Sequence, residues 1–235
     1  MQAGPYVLHS NGGTGKTALA WQIATTAKHP TLYVTCEMGA LELMRRLVAR
    51  VTDTYLGRIK SGEMAPDLAV RLFQRAAASA PQTFLLDATR TFASADYLLE
   101  VATLAKGSSP QFLLVLDSAH AWVRSGQPDV SEYEAVTAAL ATVGQLSRKL
   151  DCPVLLIAER SRAAMKEGGL NASAGSRSFE YGSEAVIGLD RKGKPDPSGT
   201  STVELSIDKN RNGASGLKIT LNFIGAGQRF EGPTP

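Results

Sequence analysis

Little in this chain points to metal, membrane or disulfide chemistry. Of 235 residues only two are cysteine and three histidine. Cys36 and Cys152 each fall in or beside a predicted strand, which reads as two buried thiols in a reducing compartment rather than a disulfide framework. His9, His29 and His120 share no zinc-like spacing with them. The apolar runs are of strand length and no hydrophobic leader precedes the first motif, so neither a membrane span nor a signal peptide is expected and the cytoplasm is the default location. A net charge of +3 is too small to argue for a nucleic-acid partner by itself. No internal repeat or linker-length low-complexity tract divides the chain, and 43% hydrophobic against 20% charged residues suits one well-buried core.

What the chain does have is a phosphate-binding loop. The stretch SNGGTGKTALAWQIA begins at Ser10 and follows the apolar run Tyr6, Val7, Leu8. A helix carrying Leu19, Trp21 and Ile23 comes after it, which is the strand, loop and helix context the motif requires. Gly12, Gly13 and Gly15 let the backbone turn its N–H groups around a polyphosphate, and the helix start adds its positive dipole. Within this cradle of Asn11, Gly12, Gly13, Thr14, Gly15, Lys16, Thr17 and Ala18, Lys16 is expected to reach the β- and γ-phosphates, and Thr17 to hold Mg²⁺ through its hydroxyl. Ser10 stands where the usual pattern has glycine.

Strands and helices then alternate. Residues 31–36 read as a strand running into Glu37, followed by helices over 41–51 and 66–80 whose basic faces are read as solvated surface. Residues 83–87 form a strand ending at Asp87, and Ser94 caps a helix ending at Gly107. The apolar run of 111–117 is a central strand ending at Asp117. Asp87 also ends a strand, but Asp117, on the more apolar one, is preferred as the Mg²⁺-holding carboxylate. Ser131 and Glu134 have capping-box spacing and open a helix to Leu150, and residues 153–159 make a fifth strand ending at Glu159. This alternation predicts a doubly wound, mostly parallel sheet. Residues 160–178 read as a mobile loop carrying Arg160, Arg162, Lys166 and Arg177. Strands over 185–189, 201–208 and 217–223, without helices between them, predict a C-terminal antiparallel extension.

The ordered set of phosphate loop, TCEM, LLVLD, LLIAERSR and DKNRNG resembles the ATPase core of DnaB-type replicative helicases, a branch of the RecA-like fold. The likeness runs over nearly the whole chain, and the family's loop also dispenses with the first glycine. It implies a RecA-like P-loop NTPase that hydrolyses ATP with Mg²⁺, spanning residues 1–235 as a single domain with the family's N-terminal domain and linker helix absent. Glu37 matches the glutamate that orients the attacking water, the alternative being that it only caps the helix after it. Asp117 matches the Mg²⁺-holding aspartate. Lys209 and Arg211 match a basic pair projected into a neighbouring subunit's site, the alternative being a plain turn made by Asn212 and Gly213. Glu159 stands where the family has a glutamine that senses the γ-phosphate, and the family's DNA-contacting loop is only partly matched around Arg177.

The resemblance leaves two functions open. One is an ATPase motor, self-associating as a ring that lack of the linker helix would weaken. It would act on single-stranded DNA through Arg124, Arg162, Lys166 and Arg177 on the loops after the fourth and fifth strands, beside other replication proteins. The other is a stand-alone regulatory or loading ATPase without helicase activity. A recombinase is the weakest option, because no filament-forming segment precedes the phosphate loop.

Overall fold

The computed structural model describes residues 1–159 and 181–232. The elements are β1 (Gly4–Ser10), α1 (Lys16–Thr26), β2 (Thr31–Thr35), α2 (Ala40–Thr52), α3 (Leu56–Ser61), α4 (Pro66–Ala78), β3 (Thr83–Asp87) and α5 (Ala95–Lys106). After these come β4 (Leu113–Asp117), α6 (Ala119–Gly126), α7 (Glu132–Leu150), β5 (Pro153–Glu159), β6 (Ala185–Lys192), β7 (Thr200–Asn210), β8 (Lys218–Ile224) and β9 (Arg229–Glu231). All the strands join one nine-stranded sheet in the order β3-β2-β4-β5-β1-β6-β7-β8-β9. Strands β1 to β6 pair in parallel, and β7, β8 and β9 continue the sheet antiparallel.

Successive side chains of a strand point to opposite faces, so each face needs its own cover. Val7, Leu114, Leu116, Val154 and Leu156 pack with residues of α5, α6 and α7, while Tyr6, Leu8, Leu113, Val115, Leu155 and Ile157 pack with residues of α1, α2 and α4. Burial on both faces is why β4 and β5 read as unbroken apolar runs. The helix signals also act as read: Ser94 Oγ accepts from Tyr97 N, and Ser131 with Glu134 forms a complete capping box.

Three elements escaped the sequence reading because they are short. Helix α3 has six residues and buries none of them, α6 buries only Ala119, Trp122 and Val123, and β9 has three residues. Strand β6 is a correction of another kind. Expected as the first strand of the antiparallel extension, it lies parallel to β1 and pairs antiparallel only with β7. The expected loop over residues 160–178 lies outside the described residues. Both cysteines are free, Cys152 buried as read but Cys36 only half-buried. No helix among the described residues is long and apolar enough to cross a membrane.

The last strand closes on the first helix. Gln22 of α1 donates through Nε2 to Phe230 O at 2.9 Å and accepts from Phe230 N at 2.8 Å. Phe230 stacks on Phe223 with ring centroids 4.5 Å apart.

Candidate nucleotide site

Between β1 and α1 the backbone takes two left-handed positions, Gly13 at φ 73° and Gly15 at φ 103°. Gly15 is required twice over, because a Cβ there would lie 2.9 Å from Phe230 Cζ. It is also the N-cap of α1 and supplies no side-chain cap, so the first N–H groups of the helix are left for a ligand. Thr14 Oγ1 closes the loop onto Asn11 O at 2.9 Å. Buried Lys16 donates from Nζ to Ser10 O at 3.1 Å and Asn11 O at 3.2 Å, and Glu159 Oε1 stands 3.5 Å from the same ammonium. Ser10, 0% exposed, thus holds the lysine through its backbone, a task that asks nothing of its side chain.

Asp117 ends β4 with 3% exposure and accepts from Tyr33 Oη at 2.7 Å. Burial pushes its carboxyl up to about 6, against the opposing hydrogen bonds from Tyr33 and Thr17, while nearby Glu37 raises it further and Lys16 lowers it. Thr17 and Asp117 therefore meet as a hydroxyl and a carboxylate, the hard oxygen pair that Mg²⁺ takes alongside phosphate oxygens and water. No group of three or more His, Cys, Asp or Glu residues among the described residues could hold a metal alone. The pair fits an ion delivered with its nucleotide.

Strands β2 and β4 pair with Thr35 opposite Asp117, and Cys36 N donates to Asp117 O at 2.6 Å. This brings exposed Glu37 beside Asp117, where its Oε1 accepts from Ser118 Oγ. Glu37 does not cap α2. That work falls to Asp87, whose Oδ2 accepts from Ala40 N at 2.7 Å while Oδ1 accepts from Thr89 N and Thr89 Oγ1. These bonds, Thr89 first, hold the Asp87 carboxyl below the usual range and leave Asp117 as the carboxylate beside Thr17. Crowding by carboxylates and, above all, burial push the Cys36 thiol up to about 12.

The DnaB-like helicase C-terminal domain family matches residues 4–232. The chain belongs to this family. The replicative DNA helicase DnaB of Geobacillus stearothermophilus is 22% identical over 234 residues, covering 95% of this chain and 51% of that protein, so the chain spans about half the length of that curated relative. A solved structure described as an ATPase domain superposes with a TM-score of 0.83 at 18% identity, over 100% of this chain and 86% of that one. A DnaB-like replicative helicase, described with its interactions with primase, superposes at 0.78 and 16% identity over 99% of this chain and 58% of that one. Both share the RecA-like fold of mixed sheet and flanking helices. As a member of that family the chain is a P-loop ATPase.

The remaining positions of this DnaB-type core fall elsewhere. Asn210 pairs with Ala185, which pairs with Tyr6 near the start of β1, whereas the phosphate loop leaves β1 after Ser10. Four strand residues separate those levels by about 13 Å. Lys209 and Arg211 are accordingly at the edge of the sheet opposite their own loop. Lys209 Nζ donates to Ser183 O at 2.5 Å, and Arg211 donates to Glu184 Oε1 at 3.1 Å and Tyr181 O at 2.8 Å. Arg124 was expected on a loop but occupies the last turn of α6. Arg162, Lys166 and Arg177 lie outside the described residues. Sequence reasoning missed Tyr33, Ser118 and Arg191, whose Nη2 donates to Gly13 O at 2.7 Å from β6. Ser118 followed by Ala121 at N-cap spacing was a usable signal, but a contact 178 residues apart, as for Arg191, gave none.

Proposed function

We propose that residues 1–235 work as one cytoplasmic ATPase motor domain that hydrolyses Mg²⁺–ATP between neighbouring copies and couples turnover to single-stranded DNA beside other replication proteins. The observation that carries this is the opposite placement of two halves of one chemistry. Lys16, the Thr17–Asp117 pair and Glu37 converge at one end of the parallel strands, while Arg211 and Lys209 stand at the other. A cation so placed serves a triphosphate only on another copy of the chain, as head-to-tail association would allow.

Phosphoryl transfer is mostly positioning and charge stabilisation. Lys16 would exchange the carbonyls of Ser10 and Asn11 for phosphate oxygens, and the glycine backbone and α1 start would donate to the rest. Glu37 would accept a hydrogen bond from water and hold it toward the γ-phosphate. Thr17 and Asp117 would hold Mg²⁺, whose chemistry when bound would be to offset phosphate charge. Arg211 of a neighbouring copy would meet the charge of the transition state. Arg124, Arg162, Lys166 and Arg177 are the proposed DNA contacts, giving binding that weakens with salt.

The test mixes Lys16→Ala protein, dead in its own site but carrying Arg211, with Arg211→Ala protein, whose site is intact. Turnover that neither variant shows alone should appear in the mixture and grow with protein concentration. Arg211→Ala protein working at the parent rate at every concentration would refute the shared site. Absence of DNA binding at low salt with an ATP analogue present would remove the DNA coupling and leave a nucleotide-driven regulatory or loading module.

A further inference from the structure

Glu37 is exposed at the crest of a turn, and a glutamate so placed has rotamer freedom unless something holds it. Its backbone is fixed from two sides. Thr35 Oγ1 donates to Met38 O at 2.5 Å and accepts from Met38 N at 3.3 Å, closing the turn, and Cys36 N is tied to Asp117 O. Its carboxylate is held by the Ser118 hydroxyl.

Ser118 is suited to that task. It is 1% exposed, so its own position is set by packing, and it directly follows Asp117. As the N-cap of α6 it accepts from Ala121 N. A hydroxyl has one proton to give and lone pairs to receive. Once the helix N–H occupies a lone pair, the single proton goes to Glu37 Oε1. An N-cap needs only the acceptor, and asparagine, aspartate or glycine would serve there as well. The donor half of Ser118 is spent entirely on Glu37.

We infer that Ser118 is a positioning residue for turnover, using its proton to hold the Glu37 carboxylate over the end of β4 where the attacking water must be oriented. This rests on the reading of Glu37 as the water-orienting group. Losing the hydroxyl releases the carboxylate without touching the phosphate loop, so the chemical step suffers and nucleotide binding does not. Misplacement of a reacting group by about 1 Å costs on the order of a hundredfold, and partial release of Glu37 should cost roughly tenfold or more.

The experiment uses Ser118→Ala, Ser118→Gly, Glu37→Gln and the double variant Ser118→Ala with Glu37→Gln. Expected are a kcat reduced roughly tenfold or more in both Ser118 variants, ATP-analogue affinity unchanged, and no further slowing when Ser118→Ala is added to Glu37→Gln. Glycine is tolerated as a cap, so parent turnover in Ser118→Gly beside slow Ser118→Ala would show that only the cap matters and would overturn the inference. So would equal slowing by Ser118→Ala in the Glu37→Gln background. A readout without turnover is the ¹³C resonance of the Glu37 side-chain carboxyl, assigned by its loss in Glu37→Gln. It should shift in both Ser118 variants, and an unchanged resonance rules out the contact. Parent-rate hydrolysis by Glu37→Gln would instead sink the reading of Glu37, a result distinct from slow Glu37→Gln beside fast Ser118→Ala.

Discussion

The two ends of β1 are built with different firmness. Beyond Ser10, Lys16 has a side chain 9% exposed, Asp117 is buried, and each holds hydrogen bonds to the sheet or loop around it. Near Pro5, Arg211 is 50% exposed and tied to Glu184 by a 3.1 Å ion pair, supported by its backbone N–H on Glu184 O and by Asn212 Nδ2 on Glu184 Oε2. A half-exposed pair of this kind contributes about 0–1 kcal/mol, whereas an unpaired buried charge costs several. The Lys16 end is thus firmly held, and the Arg211 end is tied by contacts that cost little to exchange. Under the proposed sharing of sites between copies, such a tether would suit Arg211.

Variants can break that comparison from its strong side first. Lys16→Ala removes the cation aimed at the phosphates, and affinity for a fluorescent ATP analogue should fall at least about a hundredfold in titration. Asp117→Asn should stabilise the metal-free protein at pH 7 by about 1–3 kcal/mol in urea unfolding with chelator present. The sign follows from the raised carboxyl: protonated Asp117 favours the folded state below about 4, that contribution is lost as pH rises through about 6, and the gain from asparagine should vanish at the acid end. A gain independent of pH would mean that burial of the charge is not what asparagine relieves.

Smaller effects sharpen the contrast. Glu159→Gln removes a carboxylate 3.5 Å from Lys16 Nζ and beside Gly12, where a phosphate would have to displace it, so ATP affinity should rise severalfold. Equal affinity in parent and variant would place Glu159 away from the nucleotide. Glu184→Ala, at the loose end, should cost under about 1 kcal/mol of stability and leave analogue binding at the parent level. A larger loss would show that the hairpin tether is structural.

Much of the parallel half was legible because its signals are local. Unbroken apolar strands pointed to the parallel sheet and its burial on both faces, and the greater apolarity of its strand set Asp117 apart from Asp87, which binds Ala40 N and Thr89 instead. What stayed hidden depends on pairing between distant residues. Nothing near Tyr33 in sequence distinguishes it from any strand tyrosine, yet register sets it opposite Val115, two residues short of Asp117, where its hydroxyl reaches the carboxylate. The parallel pairing of β6 with β1 joins strands far apart in sequence, and nothing within residues 185–189 signals its direction. Helix α6 offers a single apolar turn, too little to separate from loop, so Arg124 was read without its helix.

The clasp of Gln22 on Phe230, with Phe230 stacked beneath Gly15, joins residues 208 positions apart. A chain leaving the ribosome exposes its phosphate loop long before Phe230 has been made. Until then the loop lacks the ring that backs Gly15. The seam between α1 and β9 can close only at the end of synthesis, so the loop is the first part of this fold to be made and among the last to be fully packed.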